Sequence, residues 1–456
     1  MKKILAFFCL TLIILSHISV TAYSETAFEI SGDTNSIPNW PKGPSLNAGS
    51  AFLFEANSGV VLYAKNVHER MYPASTTKLM TALLAAENSD MNDIVKFSYD
   101  AVFSLEPGSS NIGIDPGQSM PMKECLYGIM VGSANEVANA VAEHVGGSMD
   151  NFIQMMNDRV TELGLKDTHF VNANGLHDEN HYTSAYDLGM IAKEFFNNES
   201  LIQIGNTPNH HFEPTATQPD DFYIRNKHQL ITGEIPYEGI KGGKTGYTSA
   251  SNETLVTCCE QKGMKLICVI MNEDSPEQFY DTVKLFDYGF SNFSIANISA
   301  NEEKYSIKST NLFPTNVDVL GNSKQFLRLN EKNTIIQPAN VSFKDLESKV
   351  SYDTDNDSEV AYITYSYHGA YLGYGIVEII DSTPVVSVFD SNLTTQNDSG
   401  EIEKEQPVFI NVIHIAVLLS AVAFIIIIIT LIHSVFTNYN IFDNLRHKKK
   451  RRRKRW

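Results

Sequence analysis

Cysteine is scarce: a chain of 456 residues has 5. Cys9 lies in an apolar leader, and the other four, Cys125, Cys258, Cys259 and Cys268, form no CxxC pair. That is too few for a disulfide framework at this length, and a disulfide among the four is left open. Basic residues are scarce as well, except at the ends. Residues 25–407 hold 24 Lys and Arg against 52 Asp and Glu, a balance of −28 inside an overall −18. A body this acidic repels a phosphate backbone, which argues against nucleic acid as a partner. Apolar residues make up 43% and charged residues 19%, with 27 glycines and 16 prolines. Those values exclude a wholly disordered chain, a collagen and a polytopic transporter. No internal repeat is present, and the length predicts two or three domains.

The positive charge missing from the body collects at the two ends. Lys2 and Lys3 precede a mostly apolar run, Ile4 to Val20, and small residues follow around Ala22 and Ser24. This pattern predicts a signal peptide over 1–24. At the other end Val408 to Val435 contains no Asp, Glu, Lys or Arg. It predicts a transmembrane helix over 408–435, long enough for a bilayer core of ~30 Å. Nine Lys or Arg residues then fall between Arg446 and Arg455, predicting a cytoplasmic tail over 436–456. The expectation is a single-pass protein of the cell membrane, with its acidic body outside and its C-terminus within.

The body divides by pattern. Residues 25–45 are a polar lead-in with three prolines. Ser50–Glu55 and Val60–Tyr63 flank Asn57-Ser58-Gly59 and predict a hairpin. Leu79 to Glu87, Leu126 to Val145, Met149 to Leu163 and Asp187 to Phe196 have helical periodicity. Phe222–Ile224, Thr254–Cys259 and Lys265–Asn272 predict strands, and Pro276 to Tyr288 a helix. Together these predict one α+β domain over 46–292, with its first and last strands in one sheet. Short β-rich runs over 298–382 predict a small all-β domain, and the polar stretch 383–407 a linker.

Three short motifs carry the chemistry. In Ser75-Thr76-Thr77-Lys78, positions three apart share a helix face, so the amine meets the hydroxyl. A serine needs such a neighbouring base to become a nucleophile, and burial can bring a lysine into that role. In Ser133-Ala134-Asn135 the hydroxyl can relay protons, and the amide can both donate to and accept from a peptide. In Lys244-Thr245-Gly246 a cation and a hydroxyl suit an anionic group, and Gly246 permits close backbone approach. A phosphate loop is excluded there, because Glu238 stands where that pattern requires glycine.

The ordered set S-x-x-K, S-x-N and K-T-G is the signature of penicillin-recognising serine enzymes. Pro73 to Thr81, Asn172 to Leu176 and Gly243 to Thr248 resemble the serine-type D-alanyl-D-alanine carboxypeptidases, the low-molecular-mass penicillin-binding proteins. The resemblance covers about residues 45–290 and extends more loosely beyond. It implies a β-lactamase/transpeptidase-like domain, an antiparallel sheet with a helical cluster. It also implies Ser75 as nucleophile, Lys78 as base and Ser133 as proton relay. Asn135, Lys244, Thr245 and Gly246 would bind substrate, and the backbone N–H groups of Ser75 and Tyr247 would form an oxyanion hole. The implied partners are peptidoglycan stem peptides, with β-lactams as inhibitors and no metal or cofactor. A β-lactamase, a D,D-transpeptidase and a non-catalytic wall-binding scaffold are the competing readings. Two departures from the family's usual form stand out: Glu136 where an aspartate is usual, and Ser249-Ala250 where Ala-Gly is common.

Four tempting features are discounted. His177 and His181 are four apart, but Asn174-Gly175 predicts a loop, so rim residues are preferred to a metal pair. His210-His211 is a weaker case still. Asp353, Asp355 and Asp357 lack the glycine and glutamate of a calcium loop. The tyrosines at 362, 365, 367, 371 and 374 predict ordinary sheet packing rather than a carbohydrate-facing stripe.

Overall fold

The computed structural model describes residues 33–305, 327–352, 354 and 359–379. The expected signal peptide, linker, transmembrane helix and tail, and the three aspartates at 353, 355 and 357, lie outside the described residues. Among the described residues no helix is long and apolar enough to cross a membrane.

A five-stranded antiparallel sheet organises the body. Its strands are β1 (Ser50–Glu55), β2 (Val61–Lys65), β3 (Ile240–Thr248), β4 (Asn252–Gln261) and β5 (Met264–Glu273). The order is β2-β1-β5-β4-β3, so the N-terminal hairpin pairs with the last strand, Ala51 opposite Ile270. Alternation along the strands sends Phe52, Phe54, Val256, Cys258 and Ile267 to one face, and Leu53, Leu255, Cys259, Leu266 and Cys268 to the other. The adjacent cysteines 258 and 259 thus point to opposite faces. All four cysteines outside the leader are buried free thiols.

Helices cover both faces. On the first lie α1 (Lys78–Asn88), α2 (Met122–Met130), α3 (Asn135–Gly146), α4 (Met149–Glu162), α5 (Ala185–Phe195) and α6 (Glu199–Gly205). The second is covered by α7 (Glu277–Asn292), whose Gly289 meets Leu266 and Leu53 so closely that a Cβ would lie 2.7 Å from Leu266. Buried on every side from Lys78 to Ala85, α1 runs through the middle of the helical layer. Ser148 and Ser184 cap α4 and α5 by accepting from Asn151 N and Asp187 N. The run Leu126 to Val145, read from its period as one helix, is two. Gly132 and Ser133 break it, and Ser133 takes a left-handed φ of 58°. Phe222–Arg225 is a strand, but it pairs with Asn209–Phe212 in a separate ribbon.

The second face of the sheet continues into a C-terminal β unit. There β6 (Phe293–Asn297) pairs with β8 (Thr334–Pro338), while β7 (Leu327–Leu329), β9 (Glu347–Ser351), β10 (Glu359–Tyr367) and β11 (Ala370–Ile379) form a sheet of order β7-β11-β10-β9. Ile335, Ile363, Tyr365 and Leu372 join Leu53, Leu266 and Phe286 in one apolar cluster. Tyr365 is core and bonds Glu302, whereas Tyr362 and Tyr374 meet edge to face. Where β5 runs into α7, Glu273, Gln278 and Asp281 are all buried. Glu273 Oε2, Gln278 Oε1 and Asp281 Oδ2 have no hydrogen-bond partner there.

Candidate active site

Ser75 sits in a single 3-10 turn, Ala74–Thr77, that feeds into α1. The preceding Ala74 has a left-handed φ of 48°, an uncommon conformation that turns the chain sharply into the helix. Lys78 is the first residue of α1 and is fully buried. Its Nζ donates to Ser75 Oγ at 3.0 Å, Asn135 Oδ1 at 2.6 Å and the Asn174 carbonyl at 2.5 Å. Burial, then the positive charge of Lys244, drives its pKa well below the ordinary lysine value, and Glu136 opposes the fall. A lysine so placed can be neutral. With two N–H groups donated to Asn135 and Asn174, neutral Lys78 aims its lone pair at the Ser75 hydroxyl.

A second lysine approaches from the sheet. Lys244, buried on edge strand β3, donates to Ser133 Oγ at 3.0 Å and to the Thr245 carbonyl at 2.7 Å. Burial and the charge of Lys227 bring its pKa down to about 7. Ser133 occupies the turn between α2 and α3, and Asn135 opens α3. The two hydrogen-bonded groups, Ser75–Lys78–Asn135 and Ser133–Lys244, therefore meet at one short turn.

Strand β3 presses directly on the Ser75 turn. A Cβ on Gly246 would lie 2.6 Å from Thr254 Oγ1 and 2.9 Å from both Pro73 O and Ser75 N. Only glycine permits that approach. Thr254 Oγ1 lies 3.0 Å from both the Pro73 and Gly246 carbonyls and donates to one of them at a time, tying β4 to the turn. Thr245 is half-buried, and Tyr247 is 64% exposed at the outer end of the strand.

A family model described as D-alanyl-D-alanine carboxypeptidase matches residues 37–275. The chain belongs to that family. It is 38% identical over 252 residues to the D-alanyl-D-alanine carboxypeptidase DacF of Bacillus subtilis, covering 54% of this chain and 63% of that one. Against DacD of Escherichia coli the identity is 30% over 271 residues, covering 58% and 68%. The chain thus spans about two thirds of the length of these curated relatives. Penicillin binding protein 6B from Escherichia coli shares the fold, with a TM-score of 0.57 at 24% identity over 75% of this chain and 98% of that one. The fold is accordingly of the penicillin-binding and transpeptidase type, with mixed α and β content.

Sequence reasoning missed the residues that shore up this carboxypeptidase-family site. Asn174 Nδ2 donates to Asn139 Oδ1 at 2.9 Å, and Asn139 Nδ2 donates to the Ala101 carbonyl, which fixes the Asn174 carbonyl on Lys78. The Asn172-Ala173-Asn174-Gly175 turn, with Asn172 Oδ1 accepting from Gly175 N at 2.7 Å, was the local signal available. His181 is no rim residue. It is buried, accepts at Nδ1 from Val171 N, and donates from Nε2 to Thr77 Oγ1 at 2.8 Å. Burial lowers its pKa to about 3, so the ring is neutral. His210, by contrast, pairs with Glu124 and stacks on Tyr127.

Proposed function

We propose that this chain is a penicillin-sensitive serine D-Ala-D-Ala carboxypeptidase that trims peptidoglycan stem pentapeptides. The observation that carries the reading is the aim of Lys78 Nζ at Ser75 Oγ between two fixed acceptors. Ser75 Oγ attacks the carbonyl of the penultimate D-alanine while its proton passes to neutral Lys78. Backbone N–H groups of Ser75 and Tyr247 stabilise the developing oxyanion. The C–N bond then breaks, and the proton held by Lys78 is relayed through the Ser133 hydroxyl to the leaving D-alanine amine, which restores both residues. Lys244 and Thr245 hold the terminal carboxylate, Asn135 orients the substrate amide, and Gly246 lets an extended substrate lie along the β3 edge. Water hydrolyses the ester and frees Ser75 with a stem one residue shorter. No step calls on a metal or cofactor.

The reading extends to the ends of the chain. An export signal over 1–24 and a membrane helix over 408–435 would hold the catalytic domain, 46–292, and the β domain, 298–382, outside the membrane. The support is the uncharged run before nine basic residues. Incubating the full chain in detergent with a stem pentapeptide, and measuring released D-alanine, tests the activity. Release should fall by about a thousandfold or more in Ser75→Ala, and penicillin should no longer form a covalent adduct. Rapid turnover of penicillin without D-alanine release would point to a β-lactamase. Stem product joined to an added amine would point to a transpeptidase.

A further inference from the structure

Glu136 follows Asn135 directly and is buried in the first turn of α3. Its Oε1 accepts from Ile112 N at 2.6 Å and from Gly113 N at 3.2 Å, both on the loop that precedes the short strand Ser119–Pro121. The same loop is held at two further points. Asn135 N donates to the Ser110 carbonyl at 2.9 Å, and Lys227 Nζ donates to Ser110 Oγ at 3.1 Å. The Ile112 side chain is seated over Gly128 of α2 and Gly132 of the turn that follows: a Cβ on Gly132 would lie 2.7 Å from it, and one on Gly128 3.0 Å. A side chain at either position would push the loop off the Ser133 turn. The second carboxyl oxygen, Glu136 Oε2, is buried with no hydrogen-bond partner.

We infer that Glu136 is a positioning residue for the proposed acylation: it clamps the Ser110–Gly113 loop onto the Ser133–Asn135 turn, and its carboxylate adjoins Asn135, which accepts from Lys78 Nζ. The inference rests on the carboxypeptidase reading above. Its two halves separate by chemistry. Clamping needs reach and an acceptor oxygen, whereas the effect on Lys78 needs charge. Around this chamber the titratable groups are Lys78 on α1, Lys244 on β3, Lys227 beside Ser110, His181 behind Thr77, and Glu136 itself. His181 is neutral across the working range, so the two lysines, Lys227 and Glu136 set the field at the base. Burial raises the Glu136 pKa, and the loop N–H groups offset only part of that rise. While ionised, Glu136 favours the protonated form of Lys78.

The test is the rate of Ser75 acylation by penicillin in the full chain, followed by intact mass from pH 5 to 9. Wild type is compared with Glu136→Gln and Glu136→Asp. Glutamine keeps the reach and an acceptor but loses the charge, so the acid limb of the profile should move down by about one pH unit. Aspartate keeps the charge but is one methylene shorter. Its limb should stay in place, while KM for the stem peptide rises several-fold and amides 110–114 exchange faster. An unshifted limb in Glu136→Gln, with rate lost equally at every pH, would mean a merely structural residue and overturn the inference. So would wild-type KM and exchange in Glu136→Asp, which still decides the matter if the glutamine variant does not fold. A wild-type protein that neither releases D-alanine nor reacts with penicillin would sink the carboxypeptidase reading itself, and this inference with it.

Discussion

Two of the places where this molecule buries charge lie on opposite faces of the same sheet. On the helical face, Lys78 and Lys244 sit among hydroxyls, amides and carbonyls. At the β5–α7 junction, Glu273 and Asp281 are buried beside Gln278. Burial pushes both sites toward neutrality, lowering the lysines and raising Glu273. The difference is in the partners. Every N–H direction of Lys78 meets an oxygen, and one of those oxygens is the Ser75 hydroxyl, the proposed nucleophile. At the acid pair only Asp274 N and Lys284 Nζ donate, leaving an oxygen of each of Glu273, Gln278 and Asp281 unpartnered. Desolvation alone therefore makes a neutral group; a fixed set of neighbours makes a neutral group into a base.

The largest effect is expected at Lys78. Lys78→Met should cut penicillin acylation by about a thousandfold or more. Tm should hold or rise, since an apolar chain of similar length replaces a buried amine. A large drop in Tm would mean that the lysine serves the fold. Lys244→Gln is the next smaller effect, about 10- to 100-fold in kcat/KM and mostly in KM, as expected for losing one charge-assisted bond to a carboxylate. The free enzyme should also show an alkaline limb near 7, because Lys244 is a cation only below that value. A flat kcat/KM between pH 6 and 9 would contradict it.

Stability should respond to pH in opposite senses at different sites. His181 and His228 have folded pKa values near 3 against an ordinary 6.5. Their contribution is complete above 6.5 and is lost as pH falls toward 3, by about 1.4 kcal/mol per group per pH unit. Denaturant titrations at pH 4 and 7 measure that slope. For Glu273 the folded pKa is raised, by burial first and by Asp281 thereafter. Its contribution is complete below the ordinary 4.5 and is lost as pH rises through the raised value. Glu273→Gln should thus leave Tm unchanged at pH 4 and raise it at pH 8. The gain should be about 1 kcal/mol, or roughly 2–4 °C. Equal losses at both pH values would show the carboxyls to be well paired.

How much of this was legible depended on the range of each interaction. The β1–β2 hairpin, α1 and strands β4 and β5 could be read from period and turn residues, because their signals are local. So could the Ser75–Lys78 pairing, which needs only one helical turn. The break at Gly132-Ser133 was lost among apolar neighbours that continue a helical period on both sides. The Asn139–Asn174 brace, the burial of His181 and the grip of Glu136 on Ile112 join residues 24 to 104 apart in sequence. No periodicity encodes such contacts. The motif residues declared their chemistry, while the residues that aim them stayed silent.

The sheet order has a consequence for how the chain reaches this state. Strand β1, made early, takes its inner neighbour from β5, with Phe52 opposite Val269. Until residue 273 has been synthesised, the centre of the sheet cannot close, and α1 with its lysine has no floor to rest on. A connection this distant slows folding, since the chain entropy of a long loop is lost before the contacts that reward it can form. The sheet that backs the Ser75 turn therefore closes only late, when β5 takes its place between the first hairpin and the KTG pair.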